Sequence, residues 1–359
     1  MGLLGANRTS GVSAVLDRIA APAWRMARVM LRLAKNKDEE NWHQRVRFEA
    51  FCQKYPIGPD EWAIICPFHI GDVYLYAMLA KSLMSHGGGS SVKFFTKPEH
   101  AFIPKLFPSI TDGIPVSPAF NLKEIGSQDM SLSGKSPKGT YFKPAWGATT
   151  LFVGYKGLNI LDCYRVNLGL PFDAEVEIPR APSSEEMDCA RQLFIDHHLD
   201  EDKVVLICPD AQTSAKSTTL SQIPASFWEN LAAELKKRGL EPITNLGPTT
   251  ELISGTRGLK IPLELVRPFV TLSNSVIANR SGICDLMGDL PIKLTVVYPP
   301  GRMGGGSMLE GASLRTMGLS TTVVELTVDV DHLDSTLNAV LESYSVKPGK
   351  AGGVPVASS

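Results

Sequence analysis

The sequence predicts an α/β fold made of two Rossmann-like domains facing each other across a cleft, and three observations carry that expectation. A strand, turn, helix and second strand can be read between Glu61 and Thr96. The same order returns after Lys203, and a proline-punctuated extended stretch, Pro171 to Pro182, lies between the two halves. The 359 residues suit two domains of ordinary size. The expected organisation is a helical extension over 1–60, a first domain over 61–178, a second over 179–345 and a disordered tail over 346–359.

Composition narrows the function classes. Hydrophobic residues make up 43% and charged residues 20%, as in soluble globular proteins, and a net charge of -1 gives no reason to expect nucleic acid as a partner. Cys52, Cys66, Cys163, Cys189, Cys208 and Cys284 never form C-x-x-C and sit mostly in apolar runs, which reads as buried thiols in a reducing compartment. Histidines form no H-x-x-x-H pair, so no metal is expected. No run is long and apolar enough to span a bilayer, and a cytoplasmic location is expected.

In chain order, Met26, Val29, Met30 and Leu33 share one helical face while Arg25, Arg28, Arg32 and Lys35 share another. Residues 22–35 therefore suit either packing on their own domain or peripheral contact with an anionic inner-membrane face. Trp62 to Cys66 reads as a buried strand, Pro67 to Gly71 as a turn, Val73 to Ser85 as one helix and Val92 to Thr96 as a parallel strand. Phe68, His69, Gly71 and Asp72 then stand at the strand's carboxyl end, where open parallel sheets bind ligands. Asp72 suits two roles that do not exclude each other, a helix-capping acid and a general base. The polar stretch 127–140 is either a functional loop or disordered.

Leu158 to Leu168 reads as a helix closed by Gly169, and Ser184 to His197 as another. Strands are expected at Lys203 to Cys208, Glu241 to Leu246, Val276 to Ala278, Pro291 to Tyr298 and Val323 to Leu326. Helices are expected at Ala225 to Arg238, Leu263 to Phe269 and Val328 to Ser343. Neither half carries G-x-G-x-x-G, so no nicotinamide or flavin site is expected. The glycine-rich loop 299–307 either closes over a ligand or is a plain surface turn. At Val276 to Leu290 a strand turns straight into a helix, with Ser281 as N-cap and Ile283, Leu286, Met287 and Leu290 on one face. Such a junction is an ordinary capped turn or a phosphate site, since free N–H groups and the dipole end point outward.

Three of these stretches together resemble the ADP-heptose:lipopolysaccharide heptosyltransferases, glycosyltransferases of the GT-B architecture. They are the opening strand and Gly71-Asp72 turn, the segment Cys208-Pro209-Asp210-Ala211-Gln212-Thr213-Ser214-Ala215-Lys216 with the helix after it, and Ala278-Asn279-Arg280-Ser281-Gly282. The resemblance implies an inverting, metal-independent transfer of a sugar to a hydroxyl of a lipopolysaccharide or other surface glycan. The donor would be a nucleotide diphosphate sugar, with no cofactor. By position it implies Asp72 as the base, with His69 and Gly71 on the acceptor side. Thr213, Ser214 and Lys216, with the N–H groups of Ser281 and Gly282, become donor-phosphate contacts. The chain departs from the pattern at Arg280, where the family has an acid, and at Asp285, where it has a histidine. An arginine there suits a diphosphate through bidentate bonds; the alternative is a surface ion pair with Asp285 or Asp289. The second functional reading is a sugar-nucleotide binding protein or epimerase that keeps the donor cleft without glycan transfer.

Overall fold

A computed structural model describes residues 48–116, 135–136, 139–142, 153–154, 157–210, 223–248, 250–303 and 305–345. The chain divides into two compact units, residues 1–56 and 57–359. Of the first, residues 48–56 are described; 48–54 are helical, and the Phe51 and Tyr55 rings lie 5.0 Å apart. The basic face of 22–35 and the tail 346–359 lie outside the described residues.

The second unit holds two parallel sheets. The first comprises β1 (Glu61–Cys66), β2 (Ser91–Thr96), β3 (Ile110–Pro115), β4 (Lys135–Ser136) and β5 (Gly139–Phe142), in the order β3-β2-β1-β5-β4. All its pairings are parallel except the β4–β5 hairpin. The second comprises β6 (Val204–Cys208), β7 (Glu241–Asn245), β8 (Arg257–Leu259), β9 (Ser275–Asn279), β10 (Lys293–Tyr298) and β13 (Val324–Thr327), in the order β13-β10-β9-β6-β7-β8, all parallel. A small hairpin, β11 (Arg302–Met303) with β12 (Gly306–Ser307), stands apart from both.

The second order is the doubly wound one: the chain runs from β6 outward to β8, then returns to β9 beside β6 and runs outward the other way. The strand order reverses between β6 and β9, and ligands of open α/β sheets lie beyond the carboxyl ends at that point. In the first sheet the corresponding reversal lies between β1 and β5. The continuous apolar runs of these strands reflect burial on both faces. Val205, Ile207, Ile277 and Val297 pack on Phe227, Leu231, Leu235, Val340 and Leu341 of the covering helices. Val204, Leu206, Val276 and Val296 face the other way, into a core that continues to Ile64, Tyr74 and Phe94 of the first half. One core thus spans both sheets.

The helices are α1 (Ile70–Met78), α2 (Ala80–Gly87), α3 (Ile160–Asn167), α4 (Ser184–Asp196), α5 (Ala225–Lys237), α6 (Val266–Ser273), α7 (Gly282–Met287), α8 (Met308–Ala312) and α9 (Leu333–Ser345). The single helix expected over Val73 to Ser85 is two helices, broken at Leu79, which closes α1 and opens α2. Residues from Gly71 through Ala80 are all buried, so the apolar pattern carries no mark of the break. The glycine-rich loop is also more ordered than its composition indicates. It forms β11–β12, and Ser307 then caps α8 in a reciprocal pair with Glu310, at 3.1 and 2.7 Å.

Four cysteines, Cys66, Cys163, Cys208 and Cys284, are buried and free, whereas Cys189 is exposed. Burial pushes the Cys208 thiol up to about 12 and the Cys163 and Cys284 thiols up to about 11. Timed alkylation of the native protein at pH 7.5 is accordingly expected to modify Cys189 early and these four only on unfolding; early loss of Cys208 or Cys284 would contradict the placement.

Candidate functional site

Both sheet reversals carry the turns singled out in the sequence. At the carboxyl end of β1, Pro67 to His69 lead into α1, and Asp72 lies in its first turn. Its Oδ2 accepts the His69 backbone N–H at 3.0 Å, the reciprocal arm of a helix cap, so the capping role is observed. Its Oδ1 accepts the phenolic hydrogen of Tyr164, on α3. Asp72 is 7% exposed, His69 is exposed and Gly71 is buried.

At the carboxyl end of β9 the chain passes through Arg280 and Ser281 into α7. Ser281 occupies the N-cap position without a side-chain cap bond. Its carbonyl accepts Arg280 Nη1 at 2.6 Å and the Cys284 N–H at 2.9 Å. The Arg280 guanidinium faces Asp285 in a bidentate pair, 2.6 and 3.2 Å, and donates through Nε to the Ala312 carbonyl at 2.7 Å. The ion pair is buried, not on the surface, with side-chain exposures of 6% and 3%. Burial raises the Asp285 carboxyl above its ordinary range; Arg280 opposes that shift, and the nearby charge of Asp72 adds to it. Asp289, the other partner weighed for Arg280, instead accepts Arg267 at 2.5 and 2.8 Å and the Tyr74 hydroxyl at 2.9 Å.

The two turns meet. A Cβ on Gly71 would stand 2.5 Å from Asp285 Oδ2 and 2.9 Å from the Gly282 Cα, and a Cβ on Gly282 would fall onto the Gly71 backbone. Only glycine at both positions lets the first turns of α1 and α7 touch. A second contact of this kind joins the halves at the hairpin. Gly305 N donates to the Val153 carbonyl at 2.7 Å, and a Cβ on Gly306 would lie 2.9 Å from the Gly154 Cα. These glycines of the 299–307 loop serve close backbone packing.

The segment with Thr213, Ser214 and Lys216 lies outside the described residues, but its root is placed. Pro209 follows β6 directly, and its carbonyl accepts Asn279 Nδ2 at 3.0 Å. Asn279 thus ties the end of β9 to the start of that segment, while its Oδ1 is buried with no protein partner among the described residues. In the sequence Asn279 is one polar residue among others in its turn, and nothing local marks Tyr164, whose partner is 92 positions away, or Arg267, which resembles an ordinary helix cation. Among the described residues no group of three His, Cys, Asp or Glu is placed to hold a metal ion, and no helix is long and apolar enough to cross a membrane.

Two solved structures align along nearly their whole length. One is the glycosyl transferase family 9 protein of Veillonella parvula, 14% identical, covering 80% of this chain and 97% of that one with a TM-score of 0.53. The other is the Escherichia coli ADP-heptose lipopolysaccharide heptosyltransferase II, 14% identical, covering 79% and 97% with a TM-score of 0.57. The fold is GT-B. At this identity the likeness is one of architecture. No protein-family model matches the sequence, and no curated protein matches it significantly.

Proposed function

We propose that this GT-B chain is a glycosyltransferase that moves a sugar from a nucleotide diphosphate sugar to a hydroxyl of a lipopolysaccharide or other surface glycan, with inversion and without a metal. The observation that carries the reading is the meeting of the His69-Gly71-Asp72 turn and the Arg280-Ser281-Gly282 turn, each at the carboxyl end of a strand where sheet order reverses. In this reading the acceptor hydroxyl gives its proton to Asp72 as its oxygen bonds to the sugar's anomeric carbon. The bond from that carbon to the diphosphate breaks on the opposite face, and its electron pair leaves with the nucleoside diphosphate. His69 and Gly71 border the acceptor. Thr213, Ser214 and Lys216, with the N–H groups at Ser281 and Gly282, receive the leaving diphosphate, and their positive potential offsets its growing charge. Arg280 assists that turn while paired with Asp285.

A cytoplasmic enzyme touching the inner membrane face through residues 22–35 would meet lipid-linked acceptors there. The binding-protein or epimerase alternative has no observation in its favour that transfer lacks. Thermal shift with ADP, GDP, UDP and CMP, free and as sugar conjugates, tests the donor half. A saturating ligand at 100 times its Kd is expected to stabilise by about 2.7 kcal/mol. No shift with any of them would sink the reading, and a shift without glycan-dependent donor consumption would favour the alternative.

A further inference from the structure

We propose that Tyr164 is a positioning residue for the Asp72 carboxylate; this rests on the reading of Asp72 as the base. Tyr164 is fully buried and donates its hydroxyl to Asp72 Oδ1, while the His69 N–H takes Oδ2. The carboxylate is therefore held from both sides. Three features hold the phenol itself. Its ring stacks on Tyr76 with centroids 4.2 Å apart and 12° between planes. The Tyr76 hydroxyl accepts Asn167 Nδ2 at 2.7 Å, from the same helix that carries Tyr164. That helix begins with a reciprocal cap between Asn159 and Asp162, at 3.0 and 3.1 Å.

The titratable and charged groups around Asp72 are His69 at the cap, Cys66 at the end of β1, Tyr76 on α1, Tyr164 on α3, and Asp285 with its partner Arg280 on the α7 side. Burial drives Cys66, Tyr76 and Tyr164 well above their ordinary values, so all three keep their protons over the working range. Tyr164 is thus a fixed donor and not a competing acid. Its hydrogen bond points the Asp72 carboxylate in one direction.

Tyr164→Phe removes that donor while keeping ring, volume and stack. A carboxylate that loses a donor takes up a proton at higher pH, so the acidic limb of the pH–rate profile is expected to move to higher pH in the variant. The reaction followed is nucleoside diphosphate release from whichever of ADP-, GDP- or UDP-glucose the enzyme turns over. A merely structural tyrosine would lower the rate without moving the limb, so a superimposable profile overturns the proposal. A second measurement needs no fragile variant. In the proton spectrum of the wild-type protein, the Tyr164 hydroxyl is expected as a slowly exchanging downfield resonance, moving upfield in Asp72→Asn as the acceptor loses its charge. Absence of that resonance, or indifference to Asp72→Asn, overturns the proposal even if Tyr164→Phe does not fold. The two readings fail separately: full turnover in Asp72→Asn removes the base assignment, whereas a dead Asp72→Asn beside an unshifted Tyr164→Phe removes only the role of Tyr164.

Discussion

Asp72→Asn is expected to lower turnover about 10²- to 10⁴-fold, the usual contribution of a positioned general base, with nucleotide affinity essentially unchanged. The substitution suits the test because of what surrounds the side chain. Asparagine has nearly the same shape, and its carbonyl oxygen can still accept one of the two donors that hold Asp72, the His69 N–H or the Tyr164 hydroxyl. The helix cap therefore survives in part, and the first turn of α1 stays where Gly71 meets Gly282. What disappears is the capacity to take a proton. Steady-state turnover paired with nucleotide titration calorimetry separates the outcomes. Unchanged turnover would show that Asp72 only caps its helix, and loss of nucleotide binding with turnover would show that the substitution disturbs the donor side.

The two candidate turns are legible in the sequence because each is a continuous apolar run ending abruptly in polar residues, the mark of a parallel strand buried on both faces. Ala278 and Asn279 lie on the strand, and the helix after Ser281 follows as expected. That helix ends at Met287, so Leu290, assigned to its apolar stripe, is buried just beyond it. Strand β3 escapes notice because its sequence, Ile-Thr-Asp-Gly-Ile-Pro, is half polar, as befits a sheet edge. The β4–β5 hairpin is hidden for the same reason, within and just beyond the polar stretch 127–140. The links that organise the site are hidden for a different one. Tyr164 to Asp72 and Tyr74 to Asp289 join residues 92 and 215 positions apart, and no local periodicity encodes which polar atom a buried hydroxyl will find. Gly71 and Gly282 can be placed at their turns from the sequence, but that they approach each other depends on how the two sheets pack.

Arg280→Met is expected to cost about 3–5 kcal/mol of stability, because it strands the Asp285 carboxylate in a buried site without its counter-charge. Asp285→Asn should cost less, since Arg280 keeps the Ala312 and Ser281 carbonyls as acceptors. The double variant Arg280→Met with Asp285→Leu should recover most of the loss, as buried pairs replaced by apolar groups of similar volume often do. The deficit of Arg280→Met also depends on pH in a fixed direction. Burial already raises Asp285 above its ordinary 3.8, and removing Arg280 takes away the main opposing influence. The folded variant therefore binds a proton at higher pH than the unfolded chain, so its stability rises as pH falls toward that ordinary value, by linkage. Urea midpoints at pH 7.5 and 5.0 read this directly; a deficit equal at both would mean that Asp285 finds another donor. The same double variant separates two roles for Arg280. If it folds and binds nucleotide like the parent, Arg280 acts by holding the turn in shape. If it folds but loses nucleotide, the guanidinium contacts the diphosphate itself, and the pairing with Asp285 keeps that charge in place until the donor arrives.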